Sequence, residues 1–441
     1  METVEGRGAR PRPAPMSRSP ARLGQRVSTA LLAVLVGLSG CGGEDAPTRR
    51  PNLLLVTIDT LRADALGCYG GATPTPTLDA LAARGARFEA MTSASSWTLP
   101  SLATLMTGRH AATHGAIDDR HGLTDELPVL AERAAAAGYA THGIGSHIFL
   151  GERYGLQRGF ATYDDDLAPR YAQRKLAHRQ ITSPELVRKA RTWLEARRDD
   201  EPWLLWVHAF DPHNEYRAHE GFTALDEEDP HVLYEGEVRF TDHHLGGLFA
   251  LLEERGWTKD TVVVVVADHG EEFGEHGGRL HRRTLFEEVV RVPLLLAGPG
   301  VPARVVEEPV GMIDLLPTLL ELLDLAPPAG LPGQSLGDVL AGEPREVRPV
   351  VTELEGLRPQ RSLRLGRWKL VGSLLEDFWF LYDLEDDPGE RVDVAAKHPE
   401  RVAALRNLLG AELDERREGR AIELAPGDLE HLQALGYGGD Q

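Results

Sequence analysis

Thr98 stands at the start of a short predicted helix, a position where a hydroxyl can do chemistry. Pro100 suits the first turn of a helix and Gly108 suits the position just past its end, so the spacing predicts a helix that begins near Thr98. The free N–H groups and the positive dipole end of a helix N-terminus favour an anion, either an alkoxide or the phosphate or sulfate that it attacks. Thr98 is therefore a candidate nucleophile. The alternative is that its hydroxyl only caps the helix.

Three apolar runs of strand length each end in an acidic residue. The acids are Asp59, Asp211 and Asp268, and His269 directly follows the third. Ligands of open α/β sheets bind beyond the carboxyl ends of the strands, so these carboxylates could meet in one crevice and form a metal site. The three runs are 52–58, 203–210 and 262–267.

The elements that must position these residues alternate between strand and helix. Helical segments at 186–197 and 245–255 separate the apolar runs, which predicts an α/β fold with a large, mostly parallel sheet between helices. Beyond Pro349 the pattern changes to short strands with close turns, and a helix is expected at 402–413. This pattern predicts a small C-terminal antiparallel β subdomain.

Charge excludes one class of partner. The chain has 441 residues and a formal net charge of -20, so most of its surface would repel a nucleic-acid backbone. An anionic substrate must therefore find a local positive site. Only two cysteines are present, which excludes a disulfide framework and a cysteine-rich zinc site.

The N-terminal region is typical of an exported protein. Arginines precede the apolar run 30–40, which is too short for a stable membrane span and ends in Leu38-Ser39-Gly40-Cys41. This ending resembles a bacterial lipobox, which predicts a lipid on Cys41, membrane attachment and a place in the bacterial cell envelope, periplasmic or outer surface. The alternative is a plain cleaved signal peptide.

These features divide the chain into five parts. The expected parts are a signal peptide (1–40), a flexible tether (41–50), a catalytic α/β domain (51–345), a small C-terminal α+β subdomain (346–415) and a polar tail (416–441).

Together these landmarks resemble the sulfatase family of the alkaline-phosphatase superfamily. The resemblance spans about 51–395 and implies that family's fold and a metal-dependent hydrolase of phosphoric or sulfuric esters. The matching stretches are 52–70, 98–108, 211–213, 267–277, 291–293, 314–318, 381–384 and 387–390.

Two departures from the family pattern change the expected chemistry. A family sulfatase has Cys or Ser at the position of Thr98, which is oxidised to formylglycine, and an arginine at the position of Leu102. The methyl group of Thr98 prevents formation of the aldehyde. The resemblance also implies that Ser146 stands at the position of a lysine of the family. The remaining site is similar to that of superfamily members with an unmodified threonine, such as phosphoethanolamine transferases and lipoteichoic acid synthase.

The resemblance implies one divalent cation held by Asp59, Asp268, His269 and the Thr98 oxygen. This cation would lower the pKa of the hydroxyl and neutralise charge on the ester. Asp and His ligands favour Mn²⁺ or Zn²⁺, with Ca²⁺ as an alternative that is weakened because Thr60 replaces a second aspartate of many sulfatases.

Four histidines and one acid are further site candidates. His213 and His281 are expected to donate a proton to the leaving group or to contact the ester oxygens. His147, Asp211 and His276 are candidate substrate contacts.

Four functions are consistent with these residues. A phosphoester or phosphodiester hydrolase is favoured, because a Thr-phosphate is opened by a second attack at phosphorus, whereas a Thr-sulfate lacks the elimination route of formylglycine. The alternatives are a sulfatase without formylglycine, a phosphoryl transferase of the cell envelope, and an inactive binding lipoprotein.

Overall fold

Three fully buried strands form the centre of the protein and carry the candidate site at their carboxyl ends. The computed structural model describes residues 49–168, 181–356, 358–373, 375–413 and 417–424. Cys41, the signal peptide and most of the tether and tail lie outside the described residues. Among the residues described, no helix combines the length and the apolar character needed to cross a membrane.

The strands are numbered in chain order. They are β1 (Asn52–Ile58), β2 (Ala86–Phe88), β3 (Met91–Thr92), β4 (His121–Gly122), β5 (Ala140–Ile144), β6 (Thr162–Asp164), β7 (Trp203–Ala209), β8 (Thr261–Ala267), β9 (Arg291–Val292), β10 (Leu294–Ala297), β11 (Arg304–Val306), β12 (Val310–Gly311), β13 (Val350–Leu354), β14 (Gln360–Leu365), β15 (Trp368–Ser373), β16 (Phe378–Asp383) and β17 (Arg420–Ala421).

The helices are numbered in the same way. They are α1 (Pro76–Arg84), α2 (Thr98–Thr107), α3 (Ala111–His114), α4 (Leu130–Ala136), α5 (Ser183–Glu195), α6 (Pro230–Glu254), α7 (Glu287–Val290), α8 (Leu315–Leu322), α9 (Gly337–Ala341) and α10 (Pro399–Glu412).

The main sheet has the strand order β11-β2-β10-β8-β1-β7-β5-β6. Strands β8, β1, β7, β5 and β6 are parallel to one another, and β10 is antiparallel to β8 and β2. Every residue of β1, β7 and β8 is buried, so both faces of the sheet centre are covered. The predicted α/β fold with a mostly parallel sheet is confirmed.

Helices cover this sheet, and one of them is longer than its sequence pattern suggested. Helix α5 packs on β7, α4 packs on β5, and α1 packs on β10. Helix α6 begins at Pro230, well before the apolar segment that predicted it, because Asp229 caps its first turn by accepting a hydrogen bond from the backbone N–H of His231.

The C-terminal strands form a separate antiparallel sheet in the order β13-β14-β15-β16, as expected. Helix α10 packs on it over a small core of its own. Strand β13 attaches this sheet to the segment before α2, because the backbone N–H of Glu353 donates to the carbonyl of Ala94. The boundary at residue 345 remains a prediction. The small core consists of Val351, Leu363, Leu370, Leu381, Leu405 and Leu409.

Candidate metal and nucleophile site

Two buried carboxylates lie side by side at the ends of β1 and β8. Ile58 pairs with Ala267 in the sheet, so Asp59 and Asp268 leave the two strands at the same level. Both side chains are fully buried, and Asp59 Oδ1 and Asp268 Oδ2 accept no hydrogen bond from the described residues. Burial and the charge of Asp268 raise the pKa of Asp59 well above its ordinary value, and burial raises the pKa of Asp268 to about 6.

Such an arrangement fits a cation. Two buried carboxylates with unpartnered oxygens repel each other and carry a large desolvation cost unless a positive charge lies between them. The donor set therefore fits the divalent cation that the sequence resemblance implies.

His269 presents one ring nitrogen to these carboxylates. Its Nδ1–H donates to the carbonyl of Gly270 at 3.0 Å, which leaves the lone pair on Nε2. Nε2 lies 3.5 Å from Asp59 Oδ1 and 3.7 Å from Asp268 Oδ2. Burial lowers the pKa of His269 to about 3, so the ring is neutral at pH 7 and suited to bind a metal.

Thr98 completes this group. It is the first residue of α2, and its hydroxyl lies 3.3 Å from His269 Nε2. The N-cap position belongs to Trp97, whose side chain makes no cap hydrogen bond, so Thr98 does not fill the capping role that was its alternative. The structure thus brings together Asp59, Asp268, His269 and Thr98, the residues that the resemblance implied as ligands. Leu102, where family sulfatases have an arginine, is buried in the apolar core.

Thr60, directly after Asp59, has an unusual backbone conformation. Its φ of 53° is in the left-handed region, which is uncommon for a β-branched residue and found mostly where function requires it. Tyr234 holds the segment, because its hydroxyl donates to the Thr60 carbonyl at 2.9 Å and accepts from the Arg62 N–H at 2.8 Å. The Thr60 N–H in turn donates to Asp268 Oδ1 at 3.3 Å.

Three further histidines surround the site. The ring centroids of His147 and His213 are 5.7 Å apart, those of His213 and His281 are 5.1 Å apart, and those of His281 and His269 are 4.5 Å apart. These predicted residues therefore lie in one continuous cluster. One atom each of Asp59, His147 and His213 lie within 4.8 Å of one another, the spacing of a possible ligand group.

Hydrogen bonds orient these rings. His213 Nδ1–H donates to the carbonyl of Asn214 at 2.6 Å, and His281 Nδ1 lies 2.9 Å from Glu271 Oε1. His147 differs, because its Nδ1 accepts from the Phe149 N–H at 3.1 Å, which places the ring proton on Nε2. His147 Nε2–H is therefore a hydrogen-bond donor, in keeping with a contact to an anionic substrate.

Asp211 and His276 do not join the cluster. Asp211 turns toward the N-terminus of α5, where its carboxylate accepts from the backbone N–H groups of Thr182 and Ser183 and from the Ser183 hydroxyl. Its oxygens satisfy that helix end, so Asp211 is a cap and not the substrate contact that we expected. The expected meeting of three strand-end carboxylates is therefore wrong for the third.

His276 lies beside the C-terminal sheet. Its Nδ1 is 2.6 Å from Glu288 Oε1, its Nε2 donates to the Glu390 carbonyl at 3.2 Å, and its ring stacks on Phe286. Both nitrogens are thus used by protein partners, and the expected substrate contact is not seen.

His208 and Arg282 also lie at the site, although neither was expected from the sequence. His208 lies in β7 with Nε2 3.2 Å from Asp59 Oδ2, and the signal was a lone histidine inside an apolar strand run. The Arg282 guanidinium lies over the ring of Trp97, the residue before Thr98, at 4.1 Å from the ring centroid. Ser146, by contrast, is anchored because its hydroxyl donates to the His208 carbonyl.

Known proteins are similar to this chain in fold and, over most of its length, in sequence. The sulfatase family model matches residues 51–325, and the model for the C-terminal part of N-sulphoglucosamine sulphohydrolase matches residues 274–419. A choline-sulfatase of Rhizobium meliloti (strain 1021) is 27% identical over 434 residues, covering 79% of this chain and 83% of that protein. Arylsulfatase A of Homo sapiens is 28% identical over 470 residues, covering 87% and 91%.

A solved structure gives the same picture for the fold. The phosphonate monoester hydrolase of Agrobacterium radiobacter superposes with a TM-score of 0.67 at 21% identity, covering 82% of this chain and 95% of that one. Fold and site together define an ester hydrolase of the alkaline-phosphatase superfamily. Because the family model covers more than half of the chain, this protein belongs to the sulfatase family, whose enzymes bind a divalent metal ion.

Proposed function

We propose that this protein hydrolyses an anionic ester through the hydroxyl of Thr98, with phosphoesters and phosphodiesters preferred to sulfate esters. One observation carries the proposal. The Thr98 hydroxyl is fully buried at the N-terminus of α2, 3.3 Å from His269 Nε2. That nitrogen lies 3.5 Å from Asp59 Oδ1 and 3.7 Å from Asp268 Oδ2, two oxygens without a hydrogen-bond partner among the described residues. A threonine hydroxyl in this position can be activated by a cation that the carboxylates hold.

Asp59, Asp268, His269 and Thr98 would hold one divalent cation. When bound, this cation lowers the pKa of the hydroxyl and neutralises charge on the ester oxygens. Two carboxylates, one imidazole and a hydroxyl suit Mn²⁺ or Zn²⁺ better than Ca²⁺, which prefers a larger set of oxygen ligands.

The reaction needs one bond to form and one to break at each step. In the first step the Thr98 hydroxyl loses its proton and its oxygen forms a bond to phosphorus, while the ester bond breaks and the leaving oxygen gains a proton. In the second step water loses a proton and attacks phosphorus, the bond from phosphorus to the Thr98 oxygen breaks, and that oxygen regains its proton. His213 and His281 are the proposed proton carriers. A hydrogen bond at Nδ1 orients each ring, and the Nε2 of an imidazole so oriented can accept the proton released by the attacking hydroxyl and pass it to the leaving oxygen. Arg282 supplies a positive charge for the anionic substrate.

The preference for phosphate follows from the chemistry of the covalent intermediate. A phosphoester of Thr98 can be opened by water at phosphorus. A sulfate ester of Thr98 lacks the elimination that a formylglycine sulfate undergoes, because the Thr98 Cβ carries a methyl group in place of a second hydroxyl.

Sulfate-ester hydrolysis is the second candidate. The curated relatives at 27% and 28% identity bear the names of sulfatases, which favours a sulfated substrate. Transfer to an alcohol in the cell envelope differs only in the acceptor of the second step. The complete set of Asp59, Thr98, Asp268 and His269 argues against an inactive binding protein, since these ligands come from three distant segments.

A substrate panel tests the proposal. The purified chain, loaded in turn with Mn²⁺, Zn²⁺ and Ca²⁺, is assayed on aryl phosphate, phosphodiester, phosphonate and sulfate esters, with glycerol added as an acceptor. We expect the highest kcat/KM on a phosphorus ester. A higher value on the sulfate ester would overturn the preference in favour of the second candidate.

A further inference from the structure

Four side chains on one face of the main sheet form a continuous chain of hydrogen bonds that ends at the candidate metal site. In the parallel pair β1 and β7, Thr57 lies opposite His208, and Trp206 is two residues earlier on the same face of β7. Asp59 is two residues after Thr57. The contacts are Trp206 Nε1–H to Thr57 Oγ1 at 3.0 Å, Thr57 Oγ1 to His208 Nδ1 at 2.8 Å, and His208 Nε2 to Asp59 Oδ2 at 3.2 Å.

The direction of these hydrogen bonds follows from what each group can donate. An indole N–H only donates, so Thr57 Oγ1 accepts from Trp206. The hydroxyl proton of Thr57 must then go to His208 Nδ1 at 2.8 Å or to the Val207 carbonyl at 3.4 Å, and the shorter contact is the better bond. With Nδ1 as acceptor, neutral His208 carries its proton on Nε2 and donates it to Asp59 Oδ2.

We propose that Trp206, Thr57 and His208 form a positioning relay that fixes Asp59 Oδ2 and leaves Asp59 Oδ1 as the ligand atom for the cation. This inference rests on the metal site of the proposed function. Asp59 Oδ1 is the oxygen without a hydrogen-bond partner among the described residues, and it is the one nearer to His269. All four side chains of the relay are fully buried, so water does not compete for these bonds. His208 is therefore a positioning residue and not a metal ligand, although its ring lies within ligand spacing of Asp59 and Asp268.

The relay can be tested apart from the metal. In metal-free, ¹⁵N-histidine-labelled full chain, two-bond ¹H–¹⁵N correlations report the His208 tautomer, and the His208→Gln variant assigns its signals. We expect the proton on Nε2 in the wild type and a mixture of tautomers in Thr57→Val. A proton on Nδ1 alone would overturn the relay, because Nε2 would then be free to bind the metal. Protons on both nitrogens would overturn it too.

Mn²⁺ affinity, measured by electron paramagnetic resonance of free Mn²⁺, tests what the relay does. Partners that orient a ligand are worth about 10–100-fold in metal affinity, so we expect a loss of that order in His208→Leu. His208→Gln should recover most of it, because its amide N–H can still donate to Asp59. Thr57→Val and Trp206→Phe should each weaken Mn²⁺ binding by a smaller factor.

Two other buried residues provide matched controls for Trp206→Phe and Thr57→Val. Trp203 is fully buried on the same strand as Trp206, but its indole N–H has no hydrogen-bond partner among the described residues, so Trp203→Phe should leave Mn²⁺ affinity unchanged. Thr92, in β3, has a buried hydroxyl that likewise has no hydrogen-bond partner in the described part of the chain. Thr92→Val should therefore also leave Mn²⁺ affinity unchanged.

The results of these measurements distinguish a failure of the relay from a failure of the metal site. Equal Mn²⁺ affinity in Trp206→Phe and Trp203→Phe, together with an unchanged affinity in Thr57→Val, would overturn the relay while wild-type binding upholds the metal site. If the wild type binds no Mn²⁺, the proposed metal site fails, and the role given to the relay fails with it. The tautomer measurement still decides whether the hydrogen-bond chain itself is correct.

Discussion

The hydroxyl oxygen of Thr98 lies 3.3 Å from Nε2 of His269, and neither side chain is exposed to solvent. These residues are far apart in sequence, one at the start of α2 and the other just after β8. Their contact joins the candidate nucleophile to a nitrogen whose lone pair is set by the hydrogen bond of Nδ1 to Gly270. Changes to either side of this contact should therefore alter turnover or metal binding.

Removal of the Thr98 hydroxyl should abolish turnover and leave the fold intact. Thr98→Ala deletes one buried hydrogen bond, which costs about 1 kcal/mol of stability. Thr98→Ser keeps the oxygen and should retain part of the activity. Stopped wild-type reactions analysed by mass spectrometry should show a substrate adduct on the peptide that contains Thr98. If Thr98→Ala keeps near-normal rates and the wild type shows no such adduct, Thr98 is not the nucleophile.

Asp268 should make the stability of the metal-free protein depend on pH. Its pKa is about 6 in the folded protein against an ordinary 3.8, so between these values the folded state binds more protons than the unfolded state. The contribution of Asp268 to the free energy of unfolding therefore falls as pH rises through this window. Asp268→Asn lacks this titration and should gain stability relative to the wild type from pH 4 to pH 7.

The effect of Mn²⁺ on stability is a second test of the role of Asp268. Mn²⁺ should stabilise the wild type at pH 7 and have little effect on Asp268→Asn, which loses a charged ligand and should lose turnover by orders of magnitude. Urea unfolding gives the free energy of unfolding of both proteins at pH 4 and pH 7, with a chelator or with Mn²⁺. A stability difference between the two proteins that stays the same at both pH values without metal would contradict the assignment.

Thr60 should control the choice of metal. Aspartate tolerates the left-handed backbone that Thr60 adopts at φ 53°, and it would add a carboxylate beside Asp59. We expect Thr60→Asp to raise Ca²⁺ affinity relative to Mn²⁺, as measured by titration calorimetry. Thr60→Asn is the matched control, because it has the same shape without the charge. The same rise in both variants would point to relief of backbone strain in place of a new ligand.

Cys41 should carry a lipid in a bacterial host. The arginines, the short apolar run and the ending Leu-Ser-Gly-Cys predict cleavage before Cys41 and attachment to the membrane. Mass spectrometry of the membrane fraction should find the N-terminal peptide beginning at a lipidated Cys41. Cys41→Ser should move the protein out of that fraction, whereas Cys68→Ser should not. An unmodified N-terminus at another residue is the result that would refute this prediction.

The sequence, together with the family resemblance that it carries, was enough to predict the fold class and the four residues that meet at the candidate site. Continuous apolar runs of strand length such as 52–58 are typical of strands buried on both faces, and an acid that directly follows such a strand lies at the carboxyl edge of the sheet. For this reason Asp59 and Asp268, each one residue past its strand, are found where they were expected. Thr98 was equally predictable, because Pro100 and Gly108 mark the ends of its helix.

Only the tertiary structure decided which other side chains face the site. Asp211 follows β7 by two residues, and the chain there turns toward α5, whose free N–H groups take up its carboxylate. His208 has an inward position that depends on the register of β7 against β1, because a shift of one residue would reverse its direction. His276 forms a hydrogen bond with Glu288, a contact that the local sequence does not specify. Strand periodicity and helix signals are local, whereas side-chain partners arise from segments that meet only after folding.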